Sequence, residues 1–363
     1  MKIGSEEKLS SARATIILVN YILAAGILTL PRTSAEKLES PDVWITVILG
    51  GLFAMCAGVI IVKLSQRYPG RTFFIYSQEI AGKWAGSFLS LLMVTYFFSL
   101  AAYEVRVLSE VTSLFLLEGT PIWAIIMPFM WIGLYLITGG IDPIARLFEL
   151  ILPITVIIFL IVISMSIGIF ELDNLRPVLG SGITPIIKGV GTTVFAFLGI
   201  EIMLVIVALM DKPSQAVKVV LIGTGTSMCF YLITVVMVIG ALSVDGVLTK
   251  TWPTIDLIRS FEIQGLIFER FESLLLIIWI MQIFTTFTIT FYAASLGLSQ
   301  VFKKNIGPIQ FALLPVIYLI GMIPVNMNEV FAMGDLIGVT ASLLFVVLPL
   351  ALLIISKIKG VKA

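Results

Sequence analysis

Apolar residues come in blocks about twenty residues long along this chain, separated by short polar stretches, which is the length an α-helix needs to cross the hydrocarbon core of a bilayer. Ten such blocks are readable: 12–30, 43–63, 86–108, 121–138, 144–170, 185–210, 217–242, 272–302, 310–325 and 332–357. The third and eighth are long enough to extend beyond the lipid core. The pattern predicts an all-α polytopic membrane protein, a single transmembrane domain of ten helices.

Two blocks carry similar interruptions. Asn20-Tyr-Ile-Leu-Ala-Ala-Gly-Ile-Leu-Thr-Leu-Pro31 has Gly26 at its centre, and Phe195-Ala-Phe-Leu-Gly-Ile-Glu201 places Gly199 two residues before a carboxylate at membrane depth. Glycine is a weak point in a helix. An ionised carboxylate in the bilayer costs a few kcal/mol by insertion scales, so it faces a cavity or a partner. The interruptions fall five spans apart. They suggest broken helices 1 and 6 around a small-ligand site and a five-plus-five inverted repeat, 12–170 and 185–357. No residue-level repeat is visible, so span count and glycine placement carry that expectation.

Composition agrees with a membrane protein: 59% of residues are hydrophobic and 12% charged, against about a quarter charged in soluble domains. Basic residues set the orientation. Fifteen Lys and Arg fall on the side of the termini and eight on the other, which predicts cytoplasmic termini. The polar stretch before the first apolar run gives no sign of a cleavable leader. The net charge of +1 gives no hint of nucleic-acid binding. Cys56 and Cys229 lie inside apolar runs and read as small core residues. The chain has no histidine, the commonest neutral-pH base and metal ligand. No phosphate-binding loop, nucleophile elbow, metal cluster or catalytic dyad is present, so the sequence points to no enzyme, cofactor or metal.

Chemistry concentrates in the interrupted spans. Unwinding around Ala25, Gly26 and Ile27 would free backbone groups at the midplane, and the half-helix beyond would present its positive end to an α-carboxylate. Taken alone, Gly26 is as well explained as a helix-packing glycine. Unwinding at Leu198-Gly199 would turn carbonyls toward an ammonium. Glu201 could hold that ammonium, carry a proton or pin the break; its structural alternative is a buried carboxylate paired with hydroxyls, a basic group or water. Span eight offers Thr285, Thr286 and Thr288, whose hydroxyls can meet a ligand or cation, or bond back to their own helix. Tyr96 in span three is deep enough to line a pocket or simply to pack. Glu104 and Arg106 do not face each other on a helix and read as solvated or loop-paired charges near the outer mouth, with a gate as the alternative. The connection 243–271 reads as carrying a short amphipathic helix on the outer membrane surface, broken near Gly265. Arg176 and Arg270 read as pairing with nearby acids.

The ordered series Gly26-Ile-Leu-Thr-Leu-Pro-Arg32, Gly82-Lys-Trp-Ala-Gly86, Asn174-Leu-Arg-Pro-Val-Leu-Gly180, Phe197-Leu-Gly-Ile-Glu-Ile-Met203, Trp252-Pro-Thr-Ile255 and Glu269-Arg-Phe-Glu-Ser273 resembles the B subunit of spore-germination nutrient receptors. These belong to the spore permease family of the amino acid–polyamine–organocation superfamily. Each motif alone is weak, whereas the ordered set spans nearly the whole chain. The resemblance implies the ten-helix inverted fold and residence in the inner membrane of a bacterial endospore. It also implies a complex with an A subunit and a C-subunit lipoprotein, and a small nutrient ligand, often an amino acid such as L-alanine. Carried onto this sequence, its pocket falls at Gly26, Tyr96, Leu198, Gly199 and the Thr285/Thr286 pair. One departure is that proton-coupled relatives in the wider superfamily can use a lysine in the fifth helix, and 144–170 has none. Three functions follow as expectations: a germinant sensor, an amino acid transporter on the same site, or a structural subunit.

Overall fold

The computed structural model describes residues 8–24, 26–260 and 272–359. Ala25, the expected surface helix beyond Ser260 with its Gly265 break, Arg270 and most of the Glu269–Ser273 motif lie outside them. Fifteen α-helices are described. The first span is a bent pair, α1 (Ser11–Ile22) and α2 (Gly26–Leu38), at 51°. Then come α3 (Val43–Gln66), the short α4 (Phe73–Ala81), α5 (Lys83–Phe115), α6 (Ile122–Thr138) and α7 (Ile141–Ser166). The sixth span is a second bent pair, α8 (Ile183–Ala196) and α9 (Met203–Leu209), at 49°. Beyond it follow α10 (Ala216–Leu248), α11 (Pro253–Arg259), α12 (Glu272–Phe302) and α13 (Ile306–Gly321). A last span joins α14 (Met327–Ser342) to α15 (Leu348–Ile358) through a π-helical turn. Counting each bent pair once, the described residues hold eight spans long and apolar enough to cross a membrane and two shorter apolar helices, α6 and α13. The expected spans are present; α3 and α5 run further than their apolar blocks, while α10 kinks at Ser243 (φ 59°, ψ 168°), where its apolar block ends.

Packing follows from side-chain size. α3 carries Gly50, Gly51 and Gly58, and a Cβ on Gly50 would stand 2.6 Å from Thr193 Oγ1 on α8. Small residues at these positions let α8 and α10 approach closely, which is how helices associate where lipid removes the hydrophobic drive. The contact is completed by Thr193 Oγ1 donating to the Thr46 carbonyl at 2.7 Å. α12 is enclosed by the bundle, with 78% of its most apolar window buried against 28% for α7. It is therefore the central post against which the breaks sit.

The connections are tied to the spans. At the end of the bundle that holds the N-terminal segment, Leu9 N–H donates to the Leu209 carbonyl at 2.8 Å, and Asp211 N–H donates to the Leu9 carbonyl at 2.9 Å. Arg13 bridges Asp142 at 2.6 Å and Glu149 at 3.1 Å on α7. At the opposite end, Asn174 donates to the Gly240 carbonyl at 2.8 Å, and Leu179 N–H donates to Asp42 at 3.0 Å. Arg176 pairs with Asp173 at 3.1 Å.

One expectation changes. Cys56 and Cys229 are exposed on the outside of the bundle, not in its core, because a lipid-facing helix surface is as apolar as a core and the sequence pattern does not separate the two. The described part of the 243–271 connection, α11, packs on the bundle. Ile255, Leu257 and Ile258 are buried against the bundle, and Thr254 Oγ1 donates to the Ile27 carbonyl at 3.0 Å.

Candidate functional site

The break in the sixth span is made by Gly199. Its φ of 131° lies where L-residues rarely go, and a Cβ there would stand 2.8 Å from Ile22 Cγ1 on α1. The glycine therefore does two things at once: it turns the chain and lets the two breaks touch. Glu201 completes the turn. Its Oε2 accepts the Gly199 N–H at 2.6 Å, while its Oε1 accepts the Tyr21 hydroxyl at 2.8 Å and the Tyr96 hydroxyl at 2.9 Å. A fully buried carboxylate is thus given three donors from α1, α5 and its own turn, which offsets the cost of burying it. Of the roles open to Glu201, the geometry supports pinning the break.

The first span breaks between Ile22 and Gly26, and its carbonyls are taken up by side chains. Thr285 Oγ1 donates to the Asn20 carbonyl at 3.2 Å and Thr286 Oγ1 to the Tyr21 carbonyl at 3.2 Å. The Tyr231 hydroxyl on α10 donates to the Ile22 carbonyl. Gly26 sits against the same tyrosine: a Cβ there would collide with the Tyr231 hydroxyl and ring. Below the break, Gln282 Nε2 on α12 donates to Asn20 Oδ1 at 3.1 Å and Thr155 Oγ1 at 2.7 Å, joining α1, α7 and α12.

A cavity of about 210 Å3 opens beside the breaks, between α2, α5, α8 and α14. Its floor is Tyr21, Ile22, Gly26, Leu198 and Thr286, and its wall reaches Thr33 on α2 and Glu104 on α5. Gly26, Leu198 and Thr286 of the expected residues are brought together here. Tyr96, Gly199, Glu201 and Thr285 stand directly behind the lining and hold it. Ile27 is buried beside it, with its carbonyl engaged by Thr254. Thr288 is turned away, and its hydroxyl donates to the Phe284 and Thr285 carbonyls of its own helix.

Glu104 and Arg106 correct an expectation. Neither is solvated: each is 3% exposed. Arg106 pairs with Glu110 one turn on at 2.6 Å, and Glu104 faces the cavity. Sequence reading also missed Tyr21, Tyr231 and Asp335. Tyr21 lay inside the interrupted motif and could have been found there. Tyr231 and Asp335 sit in ordinary-looking spans and meet the site only through tertiary packing.

Such an assembly defines a polytopic α-helical membrane protein whose first and sixth helices break side by side at midbundle. The fold is that of solved membrane transporters. MhsT, in a crystal structure with L-phenylalanine, aligns over 98% of this chain and 91% of its own with a TM-score of 0.76 and 12% identity. Mhp1, a nucleobase-cation-symport-1 family transporter, aligns over 98% and 95% with a TM-score of 0.69 and 12% identity. The chain belongs to the spore germination protein family, whose pattern it matches over residues 8–330. Among its relatives in Bacillus subtilis (strain 168), spore germination protein YndE is 62% identical over 96% of each chain. Spore germination protein A2 is 39% identical over 97% of this chain and 96% of its own. Spore germination protein B2 is 35% identical over 92% and 91%.

Proposed function

We propose that the chain is the germinant-sensing subunit of a spore nutrient receptor. A small nutrient, an amino acid such as L-alanine, binds in the cavity at the unwound centres of the first and sixth helices. Binding favours one arrangement of the bundle by its differential affinity, and the change passes to an A subunit and a C-subunit lipoprotein in the spore inner membrane. The observation that carries the reading is a single cavity lined from both breaks, by Gly26 on one side and Leu198 on the other.

Transport by alternating access is the rival on the same site, since one fold hosts both activities. The freed carbonyls of Asn20, Tyr21 and Ile22 favour sensing. Each is engaged by a protein hydroxyl from α12 or α10, so these three acceptors at the break are held by the chain itself. The reading is tested in spores that carry Leu198→Trp at wild-type protein level. The variant should lose the nutrient response while the A subunit still accumulates; an unchanged response sinks the proposed pocket.

A further inference from the structure

The cavity beside the breaks carries an imbalance of charge. Glu104 on α5 and Asp335 on α14 both line it, and among the described residues no Lys or Arg does. Glu104 is 3% exposed, and its Oε2 has no hydrogen-bond partner among the described residues. Arg106, two residues on, does not share its face of α5 and is committed to Glu110 at 2.6 Å. The contrast with Glu201 is direct. Both are carboxylates inside the bundle, yet Glu201 has donors on both oxygens, and Glu104, which lines the space a ligand would fill, keeps a buried oxygen unpaired. A buried acceptor left unpaired is unfavourable, and a charged one more so, unless something else supplies the donor.

We infer that Glu104 is the acceptor for a positively charged group of the ligand, and that the cavity selects small compounds bearing an ammonium. The inference rests on the cavity being the nutrient site and deepens it. An ammonium supplies both the charge and the N–H donors that Oε2 lacks. A ligand carboxylate is disfavoured by the negative charge of Asp335, and the N-terminal turn of α2 at Gly26 is the part of the lining that favours an anion. An amino acid therefore lies with its ammonium toward α5 and its carboxylate toward α2. Asp335 is exposed, so it adds a screened second negative charge that draws cations in more than it holds them.

The full chain in lipid nanodiscs is screened with the twenty amino acids by thermal shift, and affinities are measured by calorimetry. Each compound that binds is compared with the acid lacking its amino group and the amine lacking its carboxyl. Loss of the amino group should weaken binding by about tenfold or more, and Glu104→Gln should weaken the parent compound to the same degree. Asp335→Asn should weaken it by no more than about threefold. The comparison of ligands needs no variant, so it stands even if Glu104→Gln folds poorly. A deaminated acid that binds as tightly as its parent overturns the inference. So does wild-type affinity in Glu104→Gln alongside lost binding in Leu198→Trp, an outcome that leaves the cavity as the nutrient site. Absence of binding by any compound overturns the nutrient site and this inference with it.

Discussion

The Tyr21 hydroxyl donates to Glu201 Oε1 across 2.8 Å, and that bond joins the two broken helices at their breaks. Tyr21 is the penultimate residue of α1 and Glu201 lies two residues past the glycine that ends α8. A ligand that spreads or closes the breaks must act on this bond and on its neighbour from Tyr96. The arrangement is a physical route from a small cavity to the half-helices α1 and α9, which also meet away from the breaks, where Leu9 bonds Leu209.

Glu201 should be structural before it is anything else. Glu201→Ala leaves two tyrosine hydroxyls and the Gly199 N–H without their acceptor, at about 1–3 kcal/mol for each unsatisfied group. Glu201→Gln keeps an acceptor for the tyrosines but turns an NH2 toward the Gly199 N–H, so it should lose less. Melting temperatures in detergent should fall in the order wild type, Gln, Ala. An Ala variant that melts with the wild type would show that the network does not hold the break.

Gly26 and Tyr231 should be energetically coupled. Any side chain at position 26 meets the Tyr231 hydroxyl and ring, so Gly26→Ala displaces the group that engages the Ile22 carbonyl. In a double-mutant cycle with Tyr231→Phe, the paired variant should be more stable than the sum of the singles by about 0.5–1 kcal/mol. Additivity within error contradicts the contact.

The threonines of α12 should separate by function. Thr286 lines the cavity and donates to the Tyr21 carbonyl, whereas Thr288 bonds only within its own helix. Thr286→Val should weaken nutrient binding several-fold at a stability cost of about 1 kcal/mol. Thr288→Val should leave binding unchanged. Equal effects on calorimetric affinity would argue against the placement of the cavity.

Arg13 should matter little to stability. Its pairs with Asp142 and Glu149 are about a third exposed, and such pairs contribute at most about 1 kcal/mol. Arg13→Ala should lower the melting temperature slightly at low salt, and the difference should shrink at high salt. A large, salt-independent loss would mean that this end of the bundle is held chiefly by Arg13.

Much of the fold was legible because a bilayer permits few solutions: apolar blocks had to be helices, and glycine beside a carboxylate marked a break. The resemblance, not the residue pattern, puts Gly26, Leu198 and Thr286 in one pocket, because contacts between spans leave no local signal. Of the two fates open to Thr288, the structure shows the bond back to its own helix, which sequence alone does not decide. Glu104 reads as solvated or loop-paired because a charge near a span end looks the same whether it faces water or a cavity. Tyr231 and Asp335 carry no local signal at all, since their roles arise where α10 and α14 pack on the breaks.

The central claim is that the cavity at the paired breaks binds a nutrient without moving it across the membrane. Sealed vesicles holding the purified chain are given a mixture of labelled small amino acids, L-alanine among them, with Leu198→Trp vesicles as the blank. Label should saturate near one molecule per protein, stay unchanged when the vesicles are permeabilised and be missing from the blank. Label that accumulates far beyond one per protein and escapes on permeabilisation would make the chain a transporter and not a sensor that only binds.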